Sequence, residues 1–162
     1  MICLPAVAQR KGVSLVVPEQ TESFPILLKT LQALGGYVEC QDEDQMRALM
    51  VPTGLMGAFY GMLQNTQQWL VQKGVSPEDA SYFVASQYHA MAVDSLENLR
   101  ENPNRFQELI DEQTPGGLNE QGLQNLAQQG AWEAYDNVMN SMYDRISGVS
   151  DGSLKSKEIG DE

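Results

Sequence analysis

At 162 residues and 17.9 kDa, the chain is the size of one ordinary domain, or of one domain carrying part of another, and long enough to bury a core. A hydrophobic fraction of 42%, a charged fraction of 20% and a mean hydropathy of −0.34 exclude the low-hydrophobicity, high-charge composition of a disordered chain. Ten Lys and Arg against 22 Asp and Glu give a formal charge of −12, which repels a phosphate backbone and argues against nucleic acid or an anionic membrane as partner. The longest apolar run, Leu49 to Tyr60, is interrupted by Pro52, Gly54 and Gly57 and falls short of the ~20 residues a membrane helix needs. Cys3 and Cys40 are the only thiols, neither in a CxxC pair, and His89 is the single histidine, so no metal site is expected. No charged leader precedes an apolar core and cleavage site, which places the chain in the cytoplasm with half-buried, reduced thiols.

In chain order, Val13-Ser14-Leu15-Val16-Val17 is a β-branched run closed by Pro18 and reads as a short buried strand. A helix follows, capped by Thr21 or Ser23, with Phe24, Leu27, Leu28, Leu31 and Leu34 at helical spacing and Gly35-Gly36 as its stop. Tyr37-Val38-Glu39-Cys40 alternates as a second strand. Strand, helix and strand make a βαβ unit of a parallel sheet. One helix cannot cover both faces of two strands, so the unit reads as the tail of a larger α/β domain. Glu39, Asp42, Glu43 and Asp44 form an acidic, solvated exit from the second strand.

From about residue 54 the pattern is helical. Leu55, Phe59, Met62, Leu63, Thr66 and Leu70 follow the 3.6 period up to the Lys73-Gly74 stop. Ser76-Pro77-Glu78-Asp79 combines a serine cap, a proline at the first helical position and an acid three residues after the cap. The helix it opens carries Ala80, Phe83, Val84, Tyr88, Met91, Leu96 and Leu99 and runs toward Asn102-Pro103. A short helix takes Phe106, Leu109 and Ile110. Beyond the Gln113–Gly117 loop, further helices span residues 119–129 and 131–147, and residues 149–162 read as a disordered acidic tail.

The glycine-rich fingerprint of dinucleotide binding, G-x-G-x-x-G, is absent. Gly54, Gly57 and Gly61 suit close helix packing, or backbone exposed to a ligand at a helix start. The most informative stretch is Thr114-Pro115-Gly116-Gly117, because two glycines leading into a helix can aim several backbone N–H groups at one point, a cradle for a carboxylate or phosphate. His89 and the aromatics Tyr60, Trp69, Tyr82, Phe83 and Tyr88 are read as helix-surface and packing residues.

Taken in order, the βαβ segment, the Pro52-Thr53-Gly54 start of a long helix, the Gly74 stop, the Ser76-Pro77-Glu78 restart and the T-P-G-G loop resemble the C-terminal part of pyrroline-5-carboxylate reductase, over roughly residues 1 to 148. The family's closing motif S/T-P-G-G-T-T stands here as Thr114-Pro115-Gly116-Gly117-Leu118-Asn119, so Leu118 and Asn119 replace the paired threonines that hold the imino-acid carboxylate. The M-P-N-T-P segment beside the nicotinamide corresponds to Leu4-Pro5-Ala6-Val7-Ala8, without its amide and hydroxyl.

The resemblance implies a mostly α fold, a helical dimerisation domain preceded by a short βαβ remnant of a Rossmann-like domain. It divides the chain into a nucleotide-domain remnant (1–48), a helical dimerisation and substrate-facing domain (49–148) and the tail (149–162). It also implies a homodimer and, in the complete enzyme, hydride transfer from NAD(P)H to a cyclic imine to give proline. Substrate-binding positions would be Thr53, Gly54, Thr114, Pro115, Gly116, Gly117 and Asn119, with Pro5 beside the cofactor; no catalytic side chain is assigned. No cofactor is expected for this chain alone. The alternative is a non-catalytic homodimeric helical module derived from that family.

Overall fold

The computed structural model describes residues 1–3, 5–17 and 23–150. It contains two compact units, one made by Met1–Gly54 with the chain from Asn137 onward, the other by Leu55–Asp136.

In the first unit β1 (Ser14–Val16) and β2 (Tyr37–Glu39) pair in parallel, with Leu15 opposite Val38, and α1 (Pro25–Ala33) is the crossover between them. The glycine pair stops α1 as its spacing predicts. Gly35 and Gly36 take φ of +129° and +113°, the Gly36 N–H closes on the Leu31 carbonyl at 2.9 Å, and a Cβ at Gly35 would overlap the Gly12 carbonyl. The start differs from expectation. Phe24 occupies the cap position with no side-chain hydrogen bond, and Pro25 supplies the helical φ, so Ser23 is not the cap; Thr21 and Pro18 lie outside the described residues.

A helix that the periodicity did not predict, α2 (Glu43–Met50), follows β2 and packs against β1. It opens on a reciprocal cap: the Asp42 carboxylate accepts the Gln45 N–H at 2.8 Å, and Gln45 Oε1 accepts the Gln41 N–H at 2.5 Å. Glu43 and Asp44 are exposed, as expected of a solvated acidic exit, but they head this helix and pair with Arg47 one turn on. With α2 on β1 and α1 on β2, and with Ile2 bridging Leu15 antiparallel, Ser14, Leu15 and Val16 are all buried. The sheet thus has cover that one helix alone was not expected to give. Cys40, Leu31 and Val51 complete this core. Both thiols are free; Cys40 is fully buried and Cys3 is exposed, neither being half-buried as expected.

In the second unit α3 (Met56–Gln72) and α4 (Pro77–Ser95) pack against each other. Between them Gly74 takes φ +93° and the Val75 N–H reaches the Leu70 carbonyl at 3.2 Å, closing α3. The Ser76 hydroxyl oxygen then accepts the Asp79 N–H at 3.1 Å and caps α4. α4 ends at Ser95, earlier than its apolar pattern suggests, because the chain turns through Asn98 in the left-handed region. α5 (Arg105–Asp111) is tied to the end of α4 by Arg105, whose guanidinium reaches Asp94 at 3.3 Å and Glu112 at 3.4 Å. α6 (Leu118–Gln128) follows, and after Gly130 at φ +73° comes α7 (Ala131–Ile146), whose residues from Asn137 onward belong to the first unit. The Val149 and Ser150 N–H groups both return to the Asp144 carbonyl; the rest of the expected tail lies outside the described residues.

The apolar surface of the second unit is poorly covered. Its buried side chains are Ala80 and Val84, both on α4, while Phe59, Trp69, Tyr82, Phe83 and Leu96 stand exposed. α4 carries apolar residues on every side, with Ala80 and Val84 in one direction and Tyr82, Ala90 and Val93 in another. A helix of that composition belongs inside a core. Among the described residues no helix is long and apolar enough to cross a membrane.

Candidate functional site

The loop between α5 and α6 is a braced turn. Pro115 and Gly116 are its central residues, Gly116 takes φ +73°, and the Gly117 N–H closes on the Thr114 carbonyl at 2.9 Å, a type II arrangement that needs glycine at its third position. Gln113, just past the end of α5, braces it through both ends of its amide: Nε2 donates to the Leu109 carbonyl at 2.6 Å, and Oε1 accepts from Asn119 Nδ2 of α6 at 2.5 Å. Gly117 holds the cap position of α6 in extended backbone, with no side-chain cap. Glu120 bends back, and its carboxylate accepts the Gly116 N–H at 2.6 Å.

Both glycine N–H groups, expected to converge on a ligand, therefore have acceptors inside the chain, and the Asn119 amide donor is bound to Gln113. Leu118, at the first threonine position of the family motif, is 85% exposed and offers no donor. A cleft of about 320 Å³ opens beside the loop, lined by Ile110, Asp111, Gln113, Pro115, Glu120, Leu123 and Gln124. Sequence reasoning missed Gln113, Glu120 and Asp111. For Glu120 the signal was present, an acid three residues after the cap position, the spacing of a capping box.

Thr53 and Gly54 belong to the first unit, in a turn of 3-10 helix spanning Val51–Leu55. The Thr53 hydroxyl donates to the Met50 carbonyl at 2.6 Å. Gly54 gives room to α7: a Cβ there would stand 2.9 Å from the Met142 sulfur. Gly54→Ala should lower stability by about 1 kcal/mol or less, because the flexible thioether end of Met142 can turn aside, and Met142→Ala in the same chain should remove that loss. Thermal melts of the four members of the cycle check this; strictly additive shifts would show that the two residues do not touch.

Pro5 opens a turn of 3-10 helix, Pro5–Gln9, whose carbonyls at Ala6 and Val7 accept the Lys11 and Arg10 N–H groups. The polar side chain in this stretch is Gln9. The 162 residues hold no G-x-G-x-x-G turn, and Ala6-Val7-Ala8 carries no polar side chain to meet a nicotinamide. Among the described residues no group of three or more His, Cys, Asp and Glu could hold a metal ion. His89 is exposed on α4.

A family model for pyrroline-5-carboxylate reductase dimerisation matches residues 43–149, about two thirds of the chain. The chain belongs to this dimerisation family. The match takes in α2 through α7, and therefore the T-P-G-G loop and the uncovered helices. Two solved structures share the fold. A pyrroline-5-carboxylate reductase from Coxiella burnetii matches with a TM-score of 0.68 and 17% identity, covering 88% of this chain and 53% of its own. A pyrroline carboxylate reductase from Plasmodium falciparum, solved with NADP bound, matches with a TM-score of 0.61 and 18% identity, covering 80% of this chain and 48% of its own. The dimerisation-family chain thus spans about half the length of these relatives. A search of curated protein sequences returns no match.

Proposed function

We propose that the chain is a homodimerising helical module and the substrate-facing half of an imine reductase resembling pyrroline-5-carboxylate reductase. The observation that carries the dimer is α4, with apolar residues on all sides, Ala80 and Val84 buried and Tyr82 and Phe83 bare. A second copy laid on these helices would supply the missing cover, at the 2,000 Å² or more typical of obligate dimers. Membership in the dimerisation family supports the same reading.

The reductase part of the proposal rests on that membership and on the relative with NADP bound. In a complete enzyme a reduced nicotinamide, held by residues outside this chain, would supply the hydride; the helical half would orient the imine. The cytoplasm is the proposed location, supported by two free thiols. A second reading, a module that keeps the scaffold without catalysis, is favoured by one observation: the loop's glycine N–H groups are satisfied from within.

Light scattering at micromolar concentration should give about twice the 17.9 kDa chain mass. Because each copy brings a charge of −12, raising salt from low ionic strength should tighten the dimer by screening their repulsion. A monomer that melts cooperatively overturns the dimer; a dimer that weakens in salt overturns its apolar character.

A further inference from the structure

We propose that the dimer forms with His89 uncharged and comes apart as its imidazole takes up a proton, so that acidification releases the two copies. This rests on the dimer reading above and adds its regulation.

The first observation is where charge is missing. In a chain whose residues are 20% charged, the 17 residues of α3 include no Asp, Glu, Lys, Arg or His, and the stretch of α4 from Ala80 to Val93 includes one such residue, His89. Helices that keep a side in water carry charge on that side, and these do not. The other titratable side chains on the pair are the phenols of Tyr60, Tyr82 and Tyr88. A phenol ionises only near pH ~10, so His89 is the one side chain of this surface that changes charge around neutrality.

The second is the direction of His89. Ala80 and Val84 are buried, and the Tyr88 ring meets Phe59 of α3 edge-on at 6.1 Å, which marks the side of α4 turned toward α3. His89 shares the opposite side with Tyr82, Ser86 and Val93, at the spacing of one helix stripe. Tyr82 and Val93 are 78% and 49% exposed, and His89 is exposed with them. A second copy that covers this apolar stripe takes the imidazole out of water as well.

No anion is placed there to receive a charge. α3 and α5 pack on α4, and α3 has no acid to offer. α5 carries Arg105, Glu108 and Asp111, and Arg105 pairs with Asp94 near the end of α4, beyond the next turn from His89. Glu78 and Asp79 lie in the first turn of α4, about 15 Å along the axis from His89. A symmetric partner brings the same uncharged helices. A covered imidazolium would lose its hydration with nothing in exchange, whereas a neutral imidazole loses little. An imidazole in water takes up its proton near pH ~6.5. Separated chains accept that proton and the dimer excludes it, so association is at full strength above about pH 6.5 and weakens as the pH falls below it. Two copies take up two protons, which raises the Kd about 100-fold between about pH 7.5 and 5.5.

The test measures the Kd of the whole chain by sedimentation equilibrium at these two pH values, in high salt to screen the −12 charge of each copy. His89→Gln, measured alongside, reports what the carboxylates alone do. The parent should lose at least about tenfold in affinity at the lower pH, and His89→Gln less than about threefold. Because the chain has a single histidine, its imidazole proton resonance is unambiguous, and in the concentrated dimer it should remain that of the neutral ring at about pH 6, where an imidazole in water is mostly protonated. A parent dimer indifferent to pH, a response that survives in His89→Gln, or an imidazole protonated within the dimer at that pH overturns the proposal and leaves the dimer standing. A chain that is monomeric at the higher pH overturns the dimer reading and this proposal together.

Discussion

Replacing Tyr82 and Phe83 together by aspartate should turn the dimer into monomers at micromolar concentration, weakening association at least about 100-fold, or roughly 3 kcal/mol. The two side chains are 78% and 59% exposed in the single chain, and they stand on a helix with no continuous polar face to give to water. An interface that covers them would have to desolvate two carboxylates with no cation in place, at several kcal/mol. The intrachain contacts of α4 are spared, because Ala80 and Val84, which are buried, are not touched. Loss of helix propensity from two aspartates amounts to about 1 kcal/mol or less, and Ser76 still caps the helix. Sedimentation equilibrium, with circular dichroism as the check on helix content, separates the outcomes. A double variant that remains dimeric would mean that copies meet through another surface.

How much of this was legible in the residues varies with the kind of signal. Where the chain carries local punctuation, the elements follow it: Gly35-Gly36 ends α1, Gly74 ends α3, and Ser76-Pro77 begins α4. Where the punctuation is weaker, pattern and structure part. α2 was passed over because its apolar residues, Met46, Leu49 and Met50, are few and its first turn is acidic, although Asp42 and Gln45 stand at capping-box spacing. The end of α4 was overrun because Leu96 and Leu99 continue its period, and nothing in that period announces a left-handed Asn98. The loop was recognised from its two glycines, yet its closure was not, since it depends on which way Glu120 and Gln113 turn. A hydrogen bond between a side chain and the backbone four residues away is allowed by sequence and chosen by packing. The uncovered faces of α3 and α4 are legible in the helical spacing of Leu55, Phe59, Met62, Phe83 and Tyr88, but periodicity counts apolar residues without asking whether one chain can bury them.

Gly117→Ala should destabilise the protein by about 1 to 3 kcal/mol, a larger loss than its neighbour's, although Gly116 has the more unusual backbone. Gly117 sits at φ −81°, which any residue adopts, so conformational freedom is not what it contributes. Space is. A Cβ at Gly117 would stand 2.8 Å from the Thr114 carbonyl oxygen, a backbone atom that accepts the bond closing the turn, so relief requires the turn itself to open. Opening it moves Gly116 away from Glu120 and Asn119 away from Gln113, and α6 loses the contacts that anchor its first turn. Gly116→Ala meets open space and bears only the cost of a left-handed conformation, about 1 to 2 kcal/mol. Gly122, inside α6 with nothing within 4 Å of its would-be Cβ and no positive φ, provides the opposite sign: alanine there should stabilise by up to about 1 kcal/mol through helix propensity. Melting temperatures of the three variants should therefore order as Gly122→Ala above the parent, Gly116→Ala below it and Gly117→Ala lowest. If Gly117→Ala melts with the parent, the Thr114 carbonyl does not close the turn, and the internal satisfaction of the loop's glycine N–H groups goes with it.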